Sequence, residues 1–171
     1  MSDKPGAVTM RGNPLTLTGN TVKAGEKAPD FTAIDNSLAP AGLEAFAGKV
    51  IVITSVPSLD TPVCDIETRR FNTEAGKLGE GVQVLTLSMD LPFAQKRWCG
   101  DAGVKTVKTL SDHKDAGFGM AYGVLIKELR LLARAVFVID REGVIRYIQL
   151  VKEIGNEPDY DAVLNAVKEI L

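Results

Sequence analysis

A largely β-branched run, Val50–Val56, and a second strand-like run, Val82–Ser88, flank a segment of helical periodicity, and that order leaves the chain few folds to choose from. The first run, apolar at most successive positions, has no face to turn to water and reads as a buried strand, and Val82–Ser88 reads as a second central strand. Between them Phe71, Ala75 and Leu78 recur at helical spacing. Strand, helix and strand in this order form a parallel β-α-β unit.

The remaining segments build around that unit. Val8–Met10 and Leu15–Thr18, joined through Gly12-Asn13-Pro14, read as an N-terminal β-hairpin. Helices are expected from about Pro92 to Gly100 and from Asp115 to Tyr122. Ala135–Asp140 and Val144–Gln149 form a second hairpin about Arg141-Glu142-Gly143. Tyr160, Val163, Leu164, Val167 and Ile170 lie on one face of an amphipathic C-terminal helix. The class is α/β. No Pro/Gly/Ser-rich linker or charge block interrupts residues 1–171, which read as one domain long enough to bury its own core.

Bulk properties narrow the function classes. Twenty basic residues against 22 acidic ones leave no footprint for nucleic acid or an anionic membrane, so small neutral substrates are easier to defend. Met1-Ser2-Asp3-Lys4-Pro5-Gly6 lacks an apolar signal core, and no run reaches the ~18 apolar residues of a membrane span. The expected location is the cytoplasm, where thiols are kept reduced and two cysteines suggest redox or catalytic use more than a structural staple. Two cysteines and one histidine cannot build an ordinary structural zinc site, and no Cys-x-x-Cys, Gly-x-Gly-x-x-Gly or Walker pattern is present. His113, among polar residues on an expected turn, reads as a solvated loop histidine. Gly117 and Gly119 read as close packing in a helix.

The chemistry concentrates where the first strand gives way to the helix, in Pro57-Ser58-Leu59-Asp60-Thr61-Pro62-Val63-Cys64. Pro57 has no N–H to continue a ladder, so a turn follows. Thr61 fits an N-cap with Pro62 at the first helical position, which puts Cys64 at the third. Its sulfur then sits near unpaired peptide N–H groups and the positive end of the helix dipole, both of which stabilise negative charge on it. The alternative is a small buried hydrophobe, a common role for free cysteines. The helix-opening position and the polar neighbours Thr61 and Asp65 argue against it.

Pro57-x-x-x-Thr61-x-x-Cys64 resembles the active-site pattern of the peroxiredoxins, and its extension through Asp65, Thr68-Arg69 and Phe71-Asn72 resembles their thiol peroxidase branch. Gly25-Glu26-Lys27-Ala28-Pro29-Asp30-Phe31, Cys99 and Arg134 also lie where that branch would have them. The resemblance covers nearly the whole chain. It implies a thioredoxin-like fold, a central mixed sheet flanked by helices with the hairpin at the N-terminus. It also implies an atypical two-cysteine enzyme that reduces hydrogen peroxide and organic hydroperoxides without metal or prosthetic group. Cys64 would be the peroxidatic thiol, passing through a sulfenic acid, and Cys99 the resolving thiol that forms an intrachain disulfide with it. Pro57, Thr61 and Arg134 would hold the peroxide, Thr61 and Arg134 serving the chemistry as well. Thioredoxin is the implied reductant and a homodimer the implied assembly.

Each residue has a plainer alternative. Pro57 serves equally as a strand terminator, and Thr61 as a helix cap needs no further role. Arg134, in a strand expected from about Ala133, shares a face with Val136 and Val138, and would otherwise be a strand-end arginine reaching solvent. Arg69 and Arg70 are rival cations, but five and six residues beyond Cys64 they lie off its helix face. Cys99, next to the only tryptophan, Trp98, would otherwise be a structural helix cysteine. Two other functions use the same residues: a redox sensor that oxidises a partner protein, and a non-catalytic interaction module.

Overall fold

The computed structural model describes residues 1–171. In chain order it contains β1 (Ser2–Met10), β2 (Asn13–Gly19), β3 (Ala33–Ile34), β4 (Pro40–Ala41), a 3₁₀ turn at Leu43–Phe46, β5 (Val50–Ser55), α1 (Pro62–Leu78), β6 (Val82–Ser88), α2 (Pro92–Ala102) and β7 (Val107–Ser111). There follow α3 (Gly117–Tyr122), β8 (Leu125–Ile126), β9 (Leu131–Leu132), β10 (Ala135–Ile139), β11 (Ile145–Leu150) and α4 (Tyr160–Glu169). No helix is long and apolar enough to cross a membrane.

β5 and β6 pair in parallel from Val50↔Val82 to Ser55↔Leu87, and every residue of both strands is buried. They sit at the centre of a seven-stranded mixed sheet in the order β11-β10-β5-β6-β7-β3-β4. The fold is α/β and thioredoxin-like, as expected. β7, absent from the sequence reading, pairs in parallel with β6. Lys108 and Thr109 dilute its apolar character, and its place in the sheet comes from its neighbours. The N-terminal hairpin forms and joins β8 and β9 in a second, four-stranded sheet.

Side-chain alternation divides the interior between the two faces of the large sheet. One face carries Ile51, Ile53, Leu85, Leu87 and Phe137 towards Phe31, Phe118 and Tyr122, whose rings meet at centroid distances of 4.6–5.9 Å. The other carries Val50, Val52, Val84, Val136 and Val138 against Phe71 and Ala75 of α1 and Val163 and Val167 of α4. α2 runs to Ala102, beyond the expected Gly100, and stops where Gly103 turns left-handed at φ 65°. α3 begins two residues late because Ala116 takes a left-handed conformation, φ 51°.

Candidate active site

The thiol is positioned by the loop between β5 and α1. Val56 still donates to the Leu87 carbonyl at 3.0 Å, and Pro57, buried, ends the ladder. Asp90, just beyond β6, then clamps the loop: its carboxylate accepts from Ser58 Oγ at 2.7 Å, Leu59 N–H at 2.8 Å and Ser88 Oγ at 2.7 Å. Thr61 occupies the N-cap position with extended backbone and Pro62 begins the helix, but the Thr61 side chain makes no cap bond. Its hydroxyl donates back to the Ser58 carbonyl at 2.9 Å. The expected capping role is corrected accordingly: Thr61 closes the loop, its exposed hydroxyl poised there without a bond to Cys64.

Cys64 stands third in α1 and is completely buried, 0% exposed, packed with Val56, Leu59 and Trp98. Its Sγ accepts a hydrogen bond from Arg134 Nη2 at 3.3 Å. Arg134 is 1% exposed, which removes the solvent-reaching alternative. It lies in the two-residue link ahead of β10, which starts at Ala135 and not at Ala133. The guanidinium is held on three sides. Nε and Nη2 donate to the Ile154 carbonyl at 3.1 and 3.0 Å, and Nη1 donates to Glu67 Oε2.

Glu67 is the site residue that the sequence reading missed. It lies one helical turn beyond Cys64 on the buried stripe of α1 that continues through Thr68, Phe71 and Ala75. A carboxylate on such a stripe needs a cation, and Arg134 on an apolar face needs an anion; pairing the two orphans would have found it. Burial pushes the Glu67 carboxyl up to about 7, and the Arg134 charge pulls in the opposite direction. Burial also disfavours the Arg134 charge, but Glu67 and Cys64 outweigh it and hold the guanidinium protonated. Glu67 Oε1 is buried with no hydrogen-bond partner. One buried cation is thus divided between a carboxyl and a sulfur.

Cys99 is a free, half-buried thiol on α2. Trp98 turns towards α1, its Nε1 donating to Asp65 Oδ1 at 2.8 Å. About 100° further round the helix, Cys99 turns towards β7, its Sγ 3.3 Å from Thr109 Oγ1 and 3.9 Å from Asn36 Nδ2. Both thiols belong to one small apolar cluster, yet each sulfur is hydrogen-bonded to its own partners. Arg69 bonds Asp65 at 2.9 Å and the Ala102 carbonyl at 3.2 Å, and Arg70 lies over the Tyr160 ring at 4.0 Å. Both are exposed and neither is bonded to the sulfur, in keeping with their place off the Cys64 face. His113 is half-buried against Ser111 Oγ at 2.8 Å, more engaged than the solvated histidine expected. Gly119 is closely packed, since a Cβ there would lie 2.8 Å from Leu132.

A thiol at a helix opening, bonded by a buried arginine above a mixed sheet, defines a redox-thiol protein of the thioredoxin-like class. The Redoxin family model matches residues 23–164. The chain is 56% identical over 165 residues to the thiol peroxidase of Halalkalibacterium halodurans, covering 96% of this chain and 99% of that one. It is 54% identical over 164 residues to the thiol peroxidase of Bacillus subtilis, covering 96% and 98%. Its structure superimposes on a peroxiredoxin-like protein from Aquifex aeolicus with a TM-score of 0.88 at 46% identity, covering 96% of each chain. A thiol peroxidase from Chromobacterium violaceum, 21% identical with a TM-score of 0.85 over 95% of each chain, shares the fold. The chain belongs to the thiol peroxidases of the Redoxin family.

Proposed function

We propose that this protein reduces hydrogen peroxide and organic hydroperoxides at Cys64, and that the 3.3 Å bond from Arg134 to the Cys64 sulfur is the observation that carries the assignment. A guanidinium that stabilises anionic sulfur also faces the oxygen on which charge develops as the O–O bond breaks. The Cys64 thiolate attacks one peroxide oxygen and becomes a sulfenic acid. The other oxygen leaves as hydroxide or alkoxide and takes a proton to give water or alcohol. On this reading Thr61 and Pro57 hold the incoming peroxide, the Thr61 hydroxyl leaving the Ser58 carbonyl for its oxygen.

Cys99 then attacks the Cys64 sulfur, forming the disulfide and releasing the remaining oxygen as water. Each sulfur must leave its present partner for that bond to form, Arg134 for Cys64 and Thr109 with Asn36 for Cys99. A dithiol of the thioredoxin type restores the two thiols by exchange, so no metal or prosthetic group enters the cycle. The same reading places the protein in the cytoplasm as a homodimer, each chain a single domain. Replacing Cys64 with serine tests it. The variant should lose peroxide reduction, because a neutral hydroxyl cannot form a sulfenic acid. Turnover within tenfold of wild type would take the nucleophile's role from Cys64.

A further inference from the structure

We infer that Thr109 is a positioning residue for Cys99, and that with Asn36 it forms a hydrogen-bond relay that stabilises the attacking form of this thiol; the inference rests on the resolving role given to Cys99 above. Thr109 Oγ1 lies 3.3 Å from Cys99 Sγ and 3.2 Å from Asn36 Oδ1, while Asn36 Nδ2 lies 3.9 Å from the same sulfur. Three polar groups from β7, α2 and the segment between β3 and β4 therefore close a small ring. Thr109 is 3% exposed, so its hydroxyl has little water to turn to and must find partners within the ring.

A hydroxyl has one proton to give and can accept, which lets this ring serve both states of the sulfur. With Cys99 as a thiol, S–H donates to Thr109 Oγ1 and the Thr109 hydroxyl donates to Asn36 Oδ1. With Cys99 as a thiolate, the Thr109 hydroxyl rotates about its C–O bond and donates to the sulfur, joined by the Asn36 amide. The Thr109 hydroxyl keeps a hydrogen bond in either state, and in the anionic one it exchanges the half-buried Asn36 Oδ1 for the sulfur. The anionic state gains a donor, and hydrogen bonds to charged groups are the stronger kind.

That is the state the resolving step consumes. Cys99 gives up its proton, its thiolate attacks the Cys64 sulfenic sulfur, the S–O bond breaks, and the departing hydroxide takes a proton as water. The relay keeps a donor beside the sulfur while Cys99 waits, then releases the sulfur as it moves to Cys64. Lys96, Lys108 and Asp35 line the same groove of about 540 Å³. Asp35 is turned to Ser37 and the Ala39 N–H, and the Lys108 ammonium lies over the Phe46 ring at 5.2 Å, so Thr109 and Asn36 are the polar groups bonded to the sulfur itself.

Thr109→Val, Thr109→Ser and wild type are compared in single turnover with one equivalent of hydrogen peroxide across pH 5.5 to 9, with acid-quenched samples read for sulfenic acid and disulfide by mass spectrometry. The valine variant should consume peroxide at the wild-type rate and form the disulfide about tenfold more slowly at neutral pH, its pH profile displaced upward by about one pH unit. Serine, which keeps the hydroxyl, should return within threefold of wild type. Alkylation of Cys99 by iodoacetamide in a Cys64→Ser background should show the same displacement without any disulfide chemistry. A valine variant that forms the disulfide at the wild-type rate, with an unchanged alkylation profile, overturns the inference and leaves the resolving role intact. Absence of the disulfide from the wild type overturns the resolving role and the inference together.

Discussion

Arg134 donates twice to the main-chain carbonyl of Ile154, so the cation that meets Cys64 is aimed by a residue with no chemistry in its side chain. The Ile154 N–H is in turn bonded to the Thr9 carbonyl at 2.9 Å, and Thr9 Oγ1 donates to Glu153 at 2.7 Å. The N-terminal hairpin thereby braces the loop that orients the arginine. With Glu67 on its far terminal nitrogen, Arg134 is held in one rotamer, ready before a peroxide arrives.

Replacement of Arg134 by lysine should lower the second-order rate with hydrogen peroxide by at least about a hundredfold, the scale of losing one preorganised donor to a developing anion. An ammonium keeps the charge but cannot span Ile154, Glu67 and Cys64 at once. Stopped-flow peroxide consumption checks this. A rate within threefold of wild type would mean that charge alone suffices.

The raised Glu67 carboxyl gives stability a definite pH slope. Its folded value of about 7 lies above the ordinary 4.5, so between these limits the folded chain binds more protons than the unfolded one. The contribution is therefore fully present below about pH 4.5 and is lost as pH rises through about 7, on the order of 3 kcal/mol in all. Urea unfolding from pH 4.5 to 8.5, in a Cys64→Ser background so that no intrachain disulfide forms, should show that decline. Glu67→Gln should remove it, whatever its effect on absolute stability. Parallel pH curves for the two proteins would contradict the assignment.

Cys99→Ser separates a two-cysteine cycle from a generic reactive thiol. The variant should still consume one equivalent of peroxide at close to the normal rate, because Cys99 enters only after the O–O bond has broken. Thioredoxin-linked turnover should collapse, with sulfenic or over-oxidised Cys64 in place of the disulfide. In the wild type, disulfide formation should change Trp98 fluorescence, since it disturbs the two helices bridged by the 2.8 Å bond from Trp98 to Asp65. Full coupled turnover by the variant would leave Cys99 as a packing residue.

Asp90→Ala should unfasten the loop that carries Ser58 and Leu59, removing acceptors for three hydrogen bonds. Loss of about 1–3 kcal/mol of stability is expected, together with a slower reaction with peroxide as the Cys64 helix opening becomes less ordered. Thermal unfolding and the peroxide rate test the two effects separately. An intact rate in a destabilised variant would show that Asp90 supports the fold and not the thiol.

Local chemistry was enough to read the framework of this protein. Two largely apolar runs about a helical stripe point to a buried parallel pair, and a proline ending a strand four residues before Thr61-Pro62 places Cys64 at a helix opening; both follow from backbone geometry and side-chain period. The peroxidase assignment came from matching that local pattern to a family. Tertiary structure alone brought Glu67, Thr109 and Asn36 to the site. Glu67 and Arg134 stand far apart in sequence; the family pattern pointed to Arg134, but Glu67 reads as one more helix charge until both are found buried in one ion pair. β7 and its Thr109 were illegible because a strand of mixed polarity takes its place from the β6 edge it completes, not from its own composition. Thr61 went the other way: its residue type predicts a cap, but the turn brings the Ser58 carbonyl within 2.9 Å, and a nearby strong acceptor takes the hydroxyl.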